Sequence, residues 1–369
     1  MNAQATDMLR LKPRSVIPFG PQHPVFPEPL QLKLTVEEEV ITEAIPVFGY
    51  VHRGLEQLCA QRDFHQMVQV VERVCGICSV MHAMCYCQAI EEIMAVEVPL
   101  RAVYLRTIWA ELHRLQSHLL WLGLFADSFG FESLFMQFWR IREKVLDINE
   151  ATGGNRVIVS VNVVGGVRRD LTADQARWLL IILEQVEAGI RQVESTVIED
   201  ATIRKRTVGK GILSGAQARE LGAVGPTLRA SGVAQDTRQT GYAVYAALDF
   251  QPVVETGGDC YGRCRVRFYE TLQSIDLIRQ AITAMPPGDI AVTAKGRPQG
   301  EAVARVEQPR GELFYYIKAG GGKNLERVRI RAPSFANMPA LVTMLPGMWL
   351  SDVPVIVLSI DPCISCTER

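Results

Sequence analysis

The chain has 369 residues, 48% of them hydrophobic, nine cysteines and a formal net charge of −1 at pH 7. This length and apolar content allow a large buried core, and the near-neutral charge gives no support for nucleic-acid binding. Because residues 1–13 lack the apolar core of a signal peptide and no apolar run reaches about 18 residues, we expect reduced thiols, no membrane-spanning helix and membrane association only through partners.

The N-terminal region, residues 15–48, is predicted to hold a proline-rich loop and a β-hairpin. Residues 15–30 contain five prolines, which favour an extended, turning loop and exclude a helix. Residues 30–36 then alternate apolar and polar side chains, the pattern of a half-buried strand. Residues 37–39 would form the turn, and residues 40–47 the returning strand.

The region from residue 50 to residue 285 has mainly helical periodicity. Asp63 is placed to cap the second half of the first helical stretch, and Asp170 or Thr172 the start of the last one. Short connections between long helices predict an antiparallel arrangement around one site. The predicted helices cover residues 55–71, 75–94, 99–122, 131–149 and 171–199.

The helix predicted from residue 75 begins with two cysteines. If Cys75 and Cys78 lie in its first turn, the unpaired backbone amides and the helix dipole favour their thiolate forms. His82 follows Cys78 by four residues and therefore lies on the same helical face.

A strand is predicted over residues 157–163, followed by a tight turn at Gly165 and Gly166. Neither Gly-x-Gly-x-x-Gly nor Gly-Lys-Ser follows this turn, so a nucleotide cofactor has no support in the sequence. His113 and His118 are five residues apart and fall on different sides of their helix, so we interpret both as structural.

Basic residues are concentrated in the middle third of the chain, where they predict a solvated face or a contact with an acidic partner. These are Arg204, Lys205, Arg206, Arg229, Arg238, Arg263, Arg265 and Arg267. The cysteines outside the C-x-x-C pairs are interpreted as core thiols. They are Cys59, Cys85, Cys87, Cys260 and Cys264.

The C-terminal region, residues 286–369, returns to strands and turns. Its apolar run at residues 353–360 is predicted to be a buried strand. This strand would carry Cys363 and Cys366 into the interior.

Two C-x-x-C pairs, Cys75 with Cys78 and Cys363 with Cys366, could together present four thiolates to one metal centre. A structural zinc site usually takes its second pair from about 15–20 residues downstream, whereas almost the whole chain intervenes here. A thioredoxin-like redox pair would leave the other pair unexplained, and thiolates also bind nickel, iron and copper. Spacing alone leaves these alternatives open.

The residues around the cysteines carry a more specific signal. Arg-x-Cys-Gly-x-Cys-Ser-x-x-His at residues 73–82 and Asp-Pro-Cys-x-x-Cys at residues 361–366 resemble the large subunit of nickel–iron (NiFe) hydrogenases. The resemblance is strongest to the membrane-bound, energy-converting group, which includes the Ech and CO-induced hydrogenases and is related to respiratory complex I. It runs nearly end to end, because matching segments also lie at residues 20–24, 52–56, 165–170, 206–209 and 228–232.

The resemblance implies a mainly α fold with small β elements (α+β). A bundle of long helices would surround a buried metal site, with a β-hairpin at the N-terminal end. Residues 1–369 would form a single NiFe-hydrogenase large-subunit-like domain. Its parts would be the hairpin region at 15–48, a helical core at 50–285 and a strand and turn region at 286–369.

The resemblance also implies a cofactor. Nickel would be held by Cys75, Cys78, Cys363 and Cys366, with Cys75 and Cys363 terminal and the other two bridging to an iron that carries one CO and two CN ligands. Heterolytic splitting of H2 would place a proton on the terminal thiolate of Cys363. Glu28, at the matching position before the first strand of the hairpin, would take that proton.

Further residues around the ligands have implied roles. Arg310, in the segment Pro309-Arg310-Gly311, would bond one cyanide and place positive charge over the metals. Ser334 would hold the other cyanide. His82 would donate a hydrogen bond to a bridging sulfur.

Glu56 matches a carboxylate that binds magnesium or iron near the chain terminus of related hydrogenases. The histidine that usually shares this ion is replaced by Arg369, and a guanidinium has no acceptor with which to bind a cation. We therefore predict an ion pair from Arg369 or Arg53 to Glu56 in place of a second metal.

The chain has no further cluster motif, so the resemblance implies a separate iron–sulfur small subunit that exchanges electrons with it. Other hydrophilic subunits, antiporter-like membrane subunits that couple the reaction to ion translocation, and maturation proteins are also implied. The chain would lie at the cytoplasmic side of the cell membrane as a peripheral subunit, with H2 and protons as substrates. Two alternatives stay open: a quinone-reducing or coupling subunit of the complex I type, whose members have lost the cysteines, and a structural zinc protein.

Overall fold

The computed structural model describes residues 14–369. Residues 1–13, where we expected no signal peptide, lie outside this range. Within it the chain is mainly helical with small antiparallel sheets, which agrees with the predicted fold class.

The described residues form eight strands and fourteen α-helices. The strands are β1 (Arg14–Phe19), β2 (Gln31–Glu37), β3 (Val40–Val47), β4 (Asn162–Val163), β5 (Gly166–Val167), β6 (Gln299–Gln308), β7 (Gly311–Gly320) and β8 (Leu325–Arg331). The α-helices are α1 (Leu55–Cys59), α2 (Met67–Val71), α3 (Ser79–Met94), α4 (Leu100–Asp127), α5 (Glu132–Gly153), α6 (Ala173–Glu199), α7 (Ala201–Thr207), α8 (Gly215–Glu220), α9 (Gly225–Arg229), α10 (Cys260–Ala284), α11 (Pro333–Ala336), α12 (Met338–Met344), α13 (Val353–Ser359) and α14 (Ile364–Thr367). Short 3-10 turns lie at Glu72–Val74, Thr237–Thr240, Tyr245–Ala247 and Leu350–Asp352.

β1, β2 and β3 form an antiparallel sheet in that order. The predicted hairpin is present, and its turn places Glu38 and Glu39 in the left-handed region, with φ of 49° and 69°. β1 was not predicted, because the prolines of residues 15–30 indicated a loop. Only one of them, Pro18, lies in β1, and an edge strand accepts a proline because one side of its backbone makes no ladder hydrogen bonds.

α4 forms the centre of the helical region. Nearly all of its residues from Ala102 to Ala126 are buried, because α3, α5 and α10 pack around it. A helix enclosed in this way shows no single apolar stripe. Its buried charged residues, Arg106, Glu111 and Arg114, therefore need buried partners of opposite charge.

The second sheet, β6-β7-β8, is antiparallel and packs one face against α3. Alternation along β7 places Leu313, Tyr315 and Ile317 on the buried face. This face positions α3, and with it the first pair of cysteines.

The strand predicted over residues 353–360 is wrong, because this segment is helix α13. A short run that is almost wholly apolar shows neither the alternation of a half-buried strand nor the 3.6-residue period of an amphipathic helix. Such a run therefore does not distinguish a buried strand from a buried helix. Pro354 lies in the first turn of α13, where its missing N–H costs no helical hydrogen bond.

Three local predictions also need correction. The helix predicted to open at Cys75 begins at Ser79, and Cys75 itself is extended with φ of −152°. Within the strand predicted at residues 157–163, only β4 pairs, with β5. Asp63 accepts from the amide of His65, whereas the residue that caps α2 is Gln66.

The basic residues of the middle third do not form one solvated face. Arg229, Arg238, Arg263 and Arg267 are at most 1% exposed. Three carboxylates, for example, surround Arg229: Asp236, Glu270 and Glu307 at 2.9, 2.7 and 2.8 Å. His118 and His113 are buried structural residues, as predicted, and His118 Nε2 lies 2.9 Å from Glu270.

One hydrophobic core links the two three-stranded sheets and the helical region, and it includes all nine cysteines. The single-domain organisation of residues 1–369 stays a prediction. No helix between residues 14 and 369 has an apolar stretch long enough to cross a lipid bilayer.

Candidate metal centre

The two C-x-x-C pairs meet inside the core. Cys78 Sγ lies 3.6 Å from Cys366 Sγ, and Cys75 Sγ lies 3.3 Å from Cys363 Sγ. Each of the four side chains is at most 4% exposed. The sulfurs of Cys75, Cys363 and Cys366 are all within 4.8 Å of one another, a spacing at which they can share one metal centre.

Local structure explains how each pair presents its sulfurs. Cys78 is the residue that precedes α3, and Cys75 lies on extended backbone just before it. Cys363 precedes the short helix α14, and its sulfur accepts from the amide of Cys366 at 3.4 Å. Between α13 and Cys363 the chain turns at Asp361, which has φ of 55°, a conformation that aspartate tolerates better than most residues.

The close packing of the four thiols makes their ionisation interdependent. Cys363 donates toward Cys75, and this contact lowers the pKa of Cys75 well below its ordinary value. Burial raises the pKa of Cys78 and of Cys366. Because burial opposes the charged form of a thiol, a bound cation would be required to hold all four as thiolates.

His82 lies beside the sulfurs. Its Nε2 is 3.4 Å from Cys366 Sγ, and its Nδ1 is 2.8 Å from the hydroxyl of Tyr315. Burial lowers the pKa of His82 to about 4, so the ring is neutral at pH 7. The sequence analysis missed Tyr315, although the alternation of apolar residues along β7 could have placed it on the buried face.

Arg310 follows Pro309 in the turn between β6 and β7. It donates from Nε to the backbone oxygen of Asp361 at 2.9 Å, and its Nη2 lies 3.1 Å from Asp361 Oδ1. Burial acts to lower the pKa of Arg310, but the negative charges of Asp361 and of the nearby cysteines raise it above its ordinary value. Its Nη1 is buried and has no partner among the described residues, so it remains available to a bound group.

Ser334 also contacts the second pair, because its hydroxyl oxygen accepts from the amide of Cys363 at 3.0 Å. The hydroxyl proton remains free to donate. Both donors expected near the sulfurs, Arg310 and Ser334, are therefore beside Cys363. The partner of Arg310, Asp361, was missed, although it adjoins the second C-x-x-C pair in the sequence.

Glu28 reaches the same pair from the N-terminal loop. Its carboxylate accepts from the amides of Ile364 and Ser365 and from the Ser365 hydroxyl, the last at 2.7 Å. Its Oε1 lies 3.8 Å from Cys363 Sγ. The carboxylate thus borders the Cys363 sulfur while three donors hold it in place.

A cavity of about 350 Å³ lies next to the sulfurs. Its polar lining residues are Glu28, Ser117, Arg310, Asp361 and Cys363. The apolar wall consists of Pro27, Ile77, Leu120, Trp121, Leu124, Trp139 and Pro362. The cysteine cluster thus adjoins a cavity whose lining is mainly apolar.

The C-terminal segment is held by ion pairs and backbone contacts. Glu56 lies 3.0 Å from Arg369 and 2.6 Å from Arg329, so the predicted Glu56–Arg369 ion pair is present. Burial acts to raise the pKa of Glu56, but the amide of Ile330 and the two guanidinium groups lower it below its ordinary value. Arg53 instead donates to backbone oxygens that flank the first cysteine pair.

Glu368 forms a second anchor for this segment, which the sequence analysis missed. Its carboxylate accepts from the amides of Gly49 and Val51 at 2.7 and 2.6 Å. His52 Nδ1 lies 2.7 Å from the Glu368 backbone oxygen. No sequence pattern predicts this role for a glutamate two residues after the last cysteine. Its partners are backbone amides in a loop that is distant in the sequence.

Two family models match this chain. The model described as "Respiratory-chain NADH dehydrogenase, 49 Kd subunit" matches residues 128–297 and 292–369. The model described as "Nickel-dependent hydrogenase" matches residues 53–124, which include the first cysteine pair.

Individual proteins give matches over nearly the full length. The chain is 42% identical to a carbon monoxide-induced hydrogenase of Rhodospirillum rubrum, over 96% of this chain and 99% of the relative. It is 38% identical to a membrane-bound hydrogenase subunit alpha of Pyrococcus furiosus, over 96% and 87%. A solved chain from the membrane-bound sulfane sulfur reductase, an archaeal respiratory membrane complex, superposes with a TM-score of 0.92 at 31% identity, over 98% of this chain and 100% of that one.

Proposed function

The chain belongs to the family of NiFe-hydrogenase large subunits and their relatives in respiratory complex I, and on that premise we propose that it is the catalytic subunit of an energy-converting NiFe hydrogenase. The reaction would be the reversible oxidation of H2 to protons and electrons. The observation that carries this proposal is the convergence of Cys75, Cys78, Cys363 and Cys366 in one buried cluster.

The residues around the cluster fit the cofactor of that family. Four sulfurs supply the thiolate ligands that nickel and iron accept. The free Nη1 of Arg310 and the free hydroxyl proton of Ser334 are buried donors of the kind that anionic cyanide ligands require. The adjoining cavity offers space beside Cys363.

Cys75, Cys78, Cys363 and Cys366 would hold the centre through their four sulfurs. When bound, a nickel–iron group with one CO and two CN ligands would supply the heterolytic cleavage and formation of H2. The chain's own residues would then hold and move the proton. Arg310 would preorganise positive charge beside the reacting centre.

The proton step would begin at Cys363. Its sulfur donates toward Glu28 Oε1 at 3.8 Å. The Ser365 hydroxyl donates to the same oxygen at 2.7 Å. Because a hydroxyl can also accept, Ser365 would keep its bond when Oε1 is protonated and would offer the next oxygen along the path.

We further propose that the chain works within a membrane-associated complex. Single electrons would pass to an iron–sulfur small subunit, because the described residues contain no second cluster of cysteines. Antiporter-like membrane subunits would couple this flow to ion translocation, other hydrophilic subunits would complete the peripheral arm, and maturation proteins would insert the metals. The chain would lie at the cytoplasmic side of the membrane.

A complex I-like quinone-reducing or coupling role is the second candidate. It is favoured by the match of residues 128–297 and 292–369 to the 49 kDa subunit of the respiratory-chain NADH dehydrogenase. The presence of the four-cysteine cluster argues against a complex I-like role, since that role needs no thiolate ligands. A structural zinc site is the remaining alternative.

Metal analysis and infrared spectroscopy of the anaerobically prepared complex would separate these functions. Nickel and iron at about one each, with bands from CO and CN, are expected for the hydrogenase. Zinc alone would refute the proposal, and absence of any metal would favour the complex I-like role. The variant Cys78→Ser should lose the bands, whereas Cys264→Ser, which alters a buried thiol outside the cluster, should retain them.

A further inference from the structure

Tyr315 contacts the side chain that lies beside the cysteine cluster. It lies on the buried face of β7, with its hydroxyl 2.8 Å from His82 Nδ1. The other nitrogen of this ring, Nε2, lies 3.4 Å from Cys366 Sγ. A chain of contacts therefore runs from the second sheet, through an imidazole on α3, to one sulfur of the centre.

We propose that Tyr315 is a positioning residue that holds His82 in the tautomer with its proton on Nε2, so that the ring donates a hydrogen bond to the Cys366 sulfur. The consequence for the metals depends on the proposed nickel–iron centre. The tautomer itself is a property of the chain and can be measured without metal.

The position of the ring proton decides how both contacts of the imidazole are made. His82 and Tyr315 are both fully buried, with the phenol at one ring nitrogen and the Cys366 sulfur beside the other. A neutral imidazole has one donor and one acceptor nitrogen, and a phenol has one proton to donate.

The phenol determines which nitrogen is the acceptor. Within residues 14–369, His82 Nδ1 is the only hydrogen-bond partner of the Tyr315 hydroxyl. With the ring proton on Nδ1, the buried phenol proton would have no acceptor, and the lone pair of Nε2 would face the sulfur. With the proton on Nε2, both contacts are satisfied, which is the rule for buried polar groups.

Packing holds the phenol in this position. Tyr315 pairs with Ala304 of β6 and Ile330 of β8, so its strand is fixed on both sides. Its ring meets those of His82 and Tyr86 edge-on, at 5.9 and 6.5 Å. The hydroxyl therefore cannot swing away from Nδ1 without disturbing the core.

A donated hydrogen bond matters to a metal centre because it withdraws electron density from the sulfur. Partners that orient a histidine in this way are known to set both its tautomer and the properties of the metal. Here a phenol on a strand would perform this function for a sulfur that it does not touch.

Nuclear magnetic resonance of the metal-free full chain, labelled with 15N in its histidines, tests the tautomer directly. We expect His82 to carry its proton on Nε2 in the unmodified chain and in the control variant Tyr316→Phe. This control removes a hydroxyl that donates to the exposed Glu301 at 2.7 Å. In Tyr315→Phe we expect both tautomers. His82→Gln would identify the signal. A proton on Nδ1 in the unmodified chain, or an unchanged spectrum in Tyr315→Phe, would overturn the proposal.

Infrared spectra of the loaded complex test the effect on the centre. The CO and CN bands should shift or double in Tyr315→Phe and stay unchanged in Tyr316→Phe, whereas identical bands in both variants would overturn the tuning role. If the unmodified complex lacks these bands, the proposed hydrogenase centre fails, and the resonance experiment still decides the tautomer.

Discussion

Glu28 and Ser365 are 337 residues apart in the sequence and are joined by two hydrogen bonds. The Ser365 amide and hydroxyl donate to the Glu28 carboxylate at 2.9 and 2.7 Å. This contact holds the proline-rich loop against the second cysteine pair. It also brings a carboxylate to 3.8 Å from the sulfur of Cys363, and the proposed proton path depends on this proximity.

Replacing this carboxylate should stop proton transfer without disturbing the metals. Glu28→Gln keeps an oxygen acceptor for Ser365 but cannot take up a proton at neutral pH. We expect exchange between H2 and solvent deuterons to fall by roughly 10²- to 10⁴-fold, with nickel and iron content unchanged. Glu39→Gln, at an exposed turn position, is the control. Normal exchange in Glu28→Gln would remove Glu28 from the proton path.

The C-terminal segment should hold the metals less firmly when the Glu368 carboxylate, which anchors it, is removed. Glu368→Ala deletes the acceptor of two backbone amides, and bonds to a charged group contribute about 1.5–3 kcal/mol each. We therefore expect nickel loss to a chelator to become at least about tenfold faster. The rate can be followed by metal analysis, with Glu326→Ala at an exposed ion pair as control. Equal rates in the two variants would contradict a retaining role.

Stability should fall as the pH is lowered below 6.5, because buried histidines stay neutral in the folded chain. Burial lowers the pKa of His113 to about 4 from its ordinary value of 6.5. Between these values the unfolded chain binds more protons, so the free energy of unfolding rises with pH.

The variant His113→Gln isolates this contribution. When the pH is lowered from 7 to 5, the free energy of unfolding of this variant should fall by about 2 kcal/mol less than that of the unmodified metal-free chain. Urea unfolding at the two pH values measures this difference, with the exposed His65→Gln as control. The same loss in His113→Gln and in the unmodified chain would show that His113 titrates normally when folded.

The buried ion pairs around Arg229 should be sensitive to loss of one partner. Arg229→Met leaves Asp236, Glu270 and Glu307 close together without their shared cation. Breaking a buried pair in this way costs about 3–5 kcal/mol. Denaturant unfolding should show this loss, whereas Arg177→Met, on an exposed helix face, should change stability little. Comparable stability of both variants would mean that Arg229 contributes no net stabilisation.

Much of the candidate site could be predicted from short sequence motifs. The cysteine pairs, Arg310, Ser334, His82 and Glu28 lie in segments that resemble known ones, and the structure brings them together. Tyr315 and Glu368 could not be found in that way, since each acts through a partner that is distant in sequence. Asp361 lies within the second motif, but its partner, Arg310, is also distant in sequence.

The sequence by itself determined the family, the predominance of helices, the hairpin of β2 and β3, and the four sulfurs as candidate ligands. These features rest on local patterns, namely residue spacing and periodicity, which need no knowledge of neighbouring segments. Only the tertiary structure decided that residues 353–359 form a helix, that Arg229 is a buried cation, and that Tyr315 faces His82. An apolar run or a charged side chain is compatible with several environments, and packing against distant segments selects one, because leaving a buried polar group without a partner costs free energy.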